Sequence, residues 1–310
     1  MPTPPRRLAS MVAIAVSLLW ATISVPLARA QATDGGAGQD RLVLFDSAKL
    51  LATGGVSQLE GAAGGGLAPW ALIAGYGSRD SLGGNAHYTV VKTPNFLLQS
   101  EGVALGVADR VELSFAHEAL DTGSFGATLG LGKGYIFGED IVGAKVRLFG
   151  DAIYAQDSLI PQVAVGAMYK AADRRALVLA LGAHDSAGVD FYLASTKLIL
   201  DQSLLVNATL RMTRANQLGL LGFGGPRDNG YRPEFEGSVA YLLNRHVAVG
   251  AEYRSKPDNL TFAHERDWYD AFVAVFFDKH VSGTLAFVSL GSIATSGPQN
   301  GVYFSLQIGL

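Results

Sequence analysis

Strict two-residue alternation is the feature that most constrains what this chain can become. From Val302 onward Val302, Phe304, Leu306, Ile308 and Leu310 take every second position, with Tyr303, Ser305, Gln307 and Gly309 between them. That is the period of a strand with one apolar and one polar face. The pattern recurs in "RVELSFAHE", "IVGAKVRLF", "LLVNATLRMT" and "HVAVGAEYR". No comparably clean helical period appears beyond residue 30, so an all-β fold is expected.

The chain opens on Arg6 and Arg7, a mostly apolar run, and then Ala28-Arg29-Ala30. This order describes a secretory signal peptide over residues 1–30. Its removal takes three arginines and no acid, leaving 21 basic against 27 acidic residues, a net charge of −6 in place of −3. Such a balance does not seek polyanions, so nucleic acid is not an expected partner. Absence of cysteine excludes disulfides and thiolate metal sites. Mean hydropathy is +0.23 and 16% of residues are charged, against the usual quarter or so. Yet beyond Ala30 no segment approaches the roughly 18 apolar residues of a membrane helix. An exported apolar chain then has one solution in lipid, because only helices and closed barrels satisfy their own backbone there.

Short breaks built on Asp or Asn recur at Asp109, Asp173, Asp201, Asn244 and Asp278, with a further break in "GKGYIFGED". These residues suit turns because they tolerate left-handed backbone and cap their own chain. Longer polar connections such as "DAIYAQDS", "HDSAGVD" and "SKPDNLTFAHERD" lie between them. Tight turns alternating with long loops is the rhythm of a transmembrane up-and-down antiparallel β-barrel. Six tight turns imply about 14 strands, with 12 to 16 compatible, the first being either "PWALIAGYG" or "NAHYTVVKT". The last strand is expected to pair with the first, its even positions facing lipid. It also resembles the C-terminal signal read by the barrel-assembly machinery, although it closes on Leu310 and not on an aromatic residue. Residues 31–67 are expected to form a Gly-rich arm or plug, and residues 68–310 the barrel.

Few motifs suggest chemistry. "FAHE" occurs at Phe115–Glu118 and Phe262–Glu265, but Asp121 and Trp268 stand where a zincin needs its second His. "GLGKGY", Gly130 to Tyr135, has a phosphate-binding flavour, but upstream Ala127 stands where the first Gly should be and Gly134 where Ser or Thr should be. No nucleophile context such as G-x-S-x-G is present, so no catalytic residue, metal or cofactor is expected and the protein is not read as an enzyme. What remains is a polar wall: Glu112, Lys145, Arg147, Lys170, Arg211, Glu236, Glu252 and Arg254 occupy the inward parity. They are expected either to pair across strands or to line a permeation path. Trp70, Trp268, Tyr269, Tyr231 and Tyr303 are candidates for an interfacial aromatic girdle.

"LLATGGVSQLEGAAGGGLAPWALIAGYGSRD" followed by "GVALGVADRVELSFA" resembles an uncharacterised family of Gram-negative outer-membrane proteins, designated domain of unknown function 3034. It is similar, more loosely, to the barrels of phenol-degradation and fatty-acid-uptake clusters. The resemblance implies an outer-membrane barrel and carries over no site residue. The function expected is a channel or facilitator for small molecules, apolar ones included, with membrane lipid as its surroundings. The alternatives are a non-conducting structural or surface-interaction barrel and, third, an outer-membrane lipid hydrolase.

Overall fold

In the computed structural model, residues 49–54 and 56–310 are described. The expected signal peptide and residues 31–48 of the Gly-rich stretch lie outside them. Twelve antiparallel strands close into one barrel: β1 Leu82–Lys92, β2 Leu97–Val107, β3 Val111–Asp121, β4 Ile136–Phe149, β5 Gln162–Ala172, β6 Ala187–Ile199, β7 Leu204–Thr213, β8 Arg232–Asn244, β9 Val247–Arg254, β10 Trp268–Phe276, β11 Val281–Ser292 and β12 Pro298–Gly309. Each pairs with its chain neighbours, and β12 closes on β1 from Val302↔Lys92 to Gly309↔Asn85. Leu310 extends the seam, since its carbonyl accepts the amides of Tyr76 and Gly84 at 2.8 and 2.9 Å.

Alternation sets the two faces. Leu113, Phe115, Val142, Leu193, Leu210, Val239, Val273, Leu285 and Phe304 point outward and stay exposed. In water each would forgo about 1.5–3 kcal/mol of burial, a loss that hydrocarbon surroundings remove. On β12, Val302, Phe304, Leu306 and Ile308 face out, while Tyr303, Ser305, Gln307 and Gly309 face in.

Among the described residues the strand count is twelve, within the expected range of 12 to 16, and the reason it falls below about 14 lies at the rims. The near rim, where β1 begins and β12 ends, holds five connections, and the far rim holds six. Asp173, expected in a tight near-rim turn, opens the far-rim connection 173–186. "DAIYAQDS", expected as a far loop, belongs to the near-rim connection 150–161. "GKGY" ends the far-rim connection that contains the short helix α1 (Phe125–Thr128). The apolar run after Asp173 pairs its own backbone as α2 (Arg175–Ala180), with Val178 turned inward and buried. Parity at a rim depends on how many strands precede it, which no single turn motif reports.

The first strand is the one containing "NAHYTVVK"; "PWALIAGYG" forms no barrel strand. Residues 56–76 run inside the barrel and are almost wholly buried. A two-residue ladder, Val56–Ser57 against Ala63–Gly64, is their only regular structure. Glycine permits this packing: a Cβ on Gly65 would lie 1.9 Å from Glu252 Oε1. Gly75, at φ +79°, turns the chain where a Cβ would lie 2.1 Å from the Gly84 nitrogen.

Candidate functional site

The lumen segment meets the wall through charge. Glu60, the lone acid in "QLEGAAGGG", is fully buried. Its carboxylate accepts Arg254 Nη1 at 2.7 Å and Arg211 Nη2 at 3.0 Å, and it pairs with Lys170 Nζ. Those cations are shared with wall acids. Lys170 lies 2.7 Å from Asp190, Arg211 bonds Glu236 at 2.5 Å and Asp190 at 3.2 Å, and Arg254 reaches Glu236 at 3.3 Å. Three carboxylates thus face three cations from β5, β7 and β9 in direct contact.

Three further wall residues grip the segment's backbone. Glu112 accepts the amides of Ala63 and Ala74 at 3.0 and 2.9 Å. Lys145, 3.0 Å from Glu112, donates to the carbonyls of Ala63 and Leu72, each at 2.9 Å. Glu252 accepts the Gly66 and Leu67 amides at 2.5 and 2.7 Å. Buried backbone amides and carbonyls must be satisfied, and here side chains of the wall substitute for a strand partner. Neutral contacts complete the hold: Gln307 pairs with both backbone groups of Ser57, and Trp70 Nε1 donates to Ser238 at 2.9 Å.

All eight wall residues singled out from the sequence therefore lie on the inward face, but they do not form one set. Arg147 sits apart at the near rim, half-buried, pairing with Asp109 and with the Gly150 carbonyl at 3.1 Å. The other seven surround the lumen segment. The girdle expectation needs correction at three positions. Trp70 belongs to the lumen segment, and Trp268 and Tyr303 point inward and are buried. Tyr231 and Tyr269 are exposed.

Sequence reasoning missed Glu60, Asp190, Glu118, Glu139 and Asp270. The last four sit at inward parity on their strands, so counting by twos would have found them. Glu118 and Glu139 are direct cross-strand partners, fully buried, and their carboxyl oxygens have no hydrogen-bond partner among the described residues. At the far rim Lys256 and Glu265 pair at 3.0 Å, and Lys256 lies 4.7 Å from the Trp268 ring centre. Burial lowers the Lys256 ammonium and raises the Glu265 carboxyl from their ordinary values, and their pairing opposes both effects.

Among the described residues neither "FAHE" gathers a set of metal ligands. His117 faces out and pairs with Asp140 at 2.8 Å, and His264 lies in a far-rim loop 3.1 Å from Asp258. His87 Nε2 does lie 3.1 Å from Ser100 Oγ inside the barrel. Ser100, however, donates its proton to the Leu59 carbonyl at 2.5 Å, so the imidazole is not positioned to take it.

Residues 53–307 match the model of a family described as "Protein of unknown function (DUF3034)". The chain belongs to that family. No curated protein matches this member of it. Among solved structures, it is similar to the KdgM porin at 9% identity, covering 73% of this chain and 97% of that one, with a TM-score of 0.45. The COG4313 outer membrane channel from Pseudomonas putida F1 shows 13% identity, 74% and 94% coverage and a TM-score of 0.42. Outer membrane phospholipase A from Escherichia coli shows 8% identity, 72% and 92% coverage and a TM-score of 0.40.

Two cavities flank the ionic cluster of this DUF3034 protein. One, of about 1000 Å³ counted out to its open mouth, enters from the near rim beside His280 and runs inward to Asp270 and Tyr303. The other, about 530 Å³, lies among far-rim residues including Phe96, Leu120, Phe137, Leu221 and Phe262. Both walls are mainly apolar, and the lumen segment stands against the first of them through Trp70, Leu72 and Tyr76.

Proposed function

We propose that this protein is an outer-membrane β-barrel that passes small molecules, apolar-bodied ones among them, when its lumen segment moves. Glu60 carries the reading. The segment packs Leu59, Leu67, Trp70 and Leu72 against apolar wall residues, and at Glu60 one carboxylate fastens it to three wall cations. Buried ion pairs add little net stability over apolar packing, yet losing one partner is costly, so such a contact suits a latch that releases as a unit. Apolar cavities on both sides of the cluster support a route for molecules that prefer hydrocarbon to water. The outward apolar band supports placement in a membrane, where a closed barrel leaves no backbone group unpaired. In this reading residues 1–30 direct export, the assembly machinery inserts the barrel, and lipid surrounds it.

A second reading is a non-conducting structural barrel, and it is favoured by the dense pairing inside the lumen. Planar-bilayer recordings separate the two. Passage predicts a mostly closed wild-type protein and frequent openings in Glu60→Gln. Silence in both, with the variant folded, would leave the non-conducting barrel.

A further inference from the structure

Glu252 on β9 and Asp270 on β10 are direct cross-strand partners, both inward-facing and buried. Like charges directly opposite each other destabilise a sheet. Glu252 is engaged by the Gly66 and Leu67 amides and by Ser238. Asp270 accepts the Glu252 amide at 3.1 Å. Among the described residues no Lys or Arg forms an ion pair with either, unlike Glu60, Glu112, Asp190 and Glu236, each of which has at least one. Two acids therefore share one site without a counter-charge.

Asp270 is also the inner end of the near-rim cavity. One wall of that cavity is apolar, built from Trp70, Leu198, Leu205, Leu242, Phe272 and Phe276. The next strands add the hydroxyl residues Ser282, Thr284 and Tyr303 to its lining, Ser282 directly across from Phe276. An apolar chamber whose inner end is Asp270, the member of the pair that lines it, complements a ligand with a hydrocarbon body and a positive, proton-donating head. An anionic head would bring a further acid against the pair, and a neutral one would supply no counter-charge.

We propose that this cavity binds an amphipathic organic cation, a protonated amine on an aromatic or branched apolar body. The ammonium sits at Asp270 and the body lies against Leu205, Leu242 and Phe272. This deepens the transport reading by giving it a cargo class, and it is measured by binding alone so that the two can fail separately.

The test is calorimetric titration of the full-length protein in lipid nanodiscs, with empty nanodiscs as reference. The probes are 2-phenylethylamine, neutral 2-phenylethanol and anionic 3-phenylpropionate. The amine is expected to bind at least about tenfold more tightly than either analogue, and Asp270→Asn to lose at least about tenfold of that affinity. Ser282→Lys, which places an ammonium in the same chamber, is expected to abolish amine binding, and it serves if Asp270→Asn does not fold. Equal affinities for the three probes, or an amine affinity unchanged in a folded variant, would overturn the proposal. Amine binding without amine flux into proteoliposomes would reject passage and leave the site standing. Flux with no preference for the amine would reject the site and leave passage standing.

Discussion

Arg254 Nη1 lies 2.7 Å from Glu60 Oε2, although 194 residues separate the two along the chain. Arg254 ends β9 on the inner wall, and Glu60 belongs to the segment that the wall encloses. The contact ties the barrel's contents to the barrel. Removing the carboxylate leaves Lys170, Arg211 and Arg254 facing one another with one acid fewer.

Glu60→Gln is expected to loosen the segment by about 3–5 kcal/mol, the usual consequence of stranding a buried charge. The chain has no cysteine, so Ala62→Cys supplies a single label site. In the otherwise wild-type barrel that thiol is expected to react slowly with a water-soluble maleimide, because Ala62 is 1% exposed. Adding Glu60→Gln should speed the reaction at least tenfold. Equal rates would show that Glu60 does not hold the segment.

Phe304 faces outward in mid-strand on β12, between Leu285 of β11 and Val90 of β1. Phe304→Arg is expected to cost about 2–4 kcal/mol in lipid, falling toward nothing were the residue near an interface. Leu159→Arg, in the near-rim connection, should cost nothing measurable. Refolding yields into lipid vesicles, scored by the gel shift between unheated and boiled samples, give the comparison. Similar yields for both would deny a hydrocarbon environment at Phe304.

Glu118 and Glu139 face each other without hydrogen-bond partners among the described residues. Glu118→Gln replaces a buried acid whose ionisation would set like charge against Glu139, and it is expected to stabilise the barrel, by up to about 1 kcal/mol on the scale of cross-strand pairs. The midpoint of unfolding in guanidinium should move up. A lower midpoint would indicate that the carboxylate is balanced by a group that the present contacts do not include.

Asp278 sits in the near-rim turn, where the His280 and Val281 amides donate to its Oδ1 at 2.7 and 2.8 Å. Those amides hold its carboxyl below the usual range. A depressed acid stabilises the fold above its unfolded-state value, and the contribution fades as pH falls through the folded-state value. Asp278→Ala should therefore unfold more easily than wild type at pH 7, and the difference should shrink in acid. A difference independent of pH would assign the effect to backbone preference in the turn.

Much was legible without coordinates, and one physical property accounts for it. Alternation follows from the pleat of a single strand, so the faces of β3, β4, β7, β9 and β12 could be read from their own residues. The inward position of Lys145, Arg211 and Arg254 came from the same parity. What each charge meets was a different question. Glu112 grips the Ala63 and Ala74 amides, and Arg211 reaches Glu60, only because closure of the sheet brings distant residues to one axis. Strand number likewise escaped a reading of turns, because Asp173 before α2 looks locally like Asp109 before β3. "PWALIAGYG" is as apolar as many strands, and Trp70, Trp268 and Tyr303 are chemically suited to an interface. Their places inside the barrel were decided by the lumen segment, whose glycines let it pack where a strand could not. Local backbone periodicity thus determined the elements and their faces. Only the closed tertiary structure decided which buried charges are paired, which are left unpaired and what space remains between them.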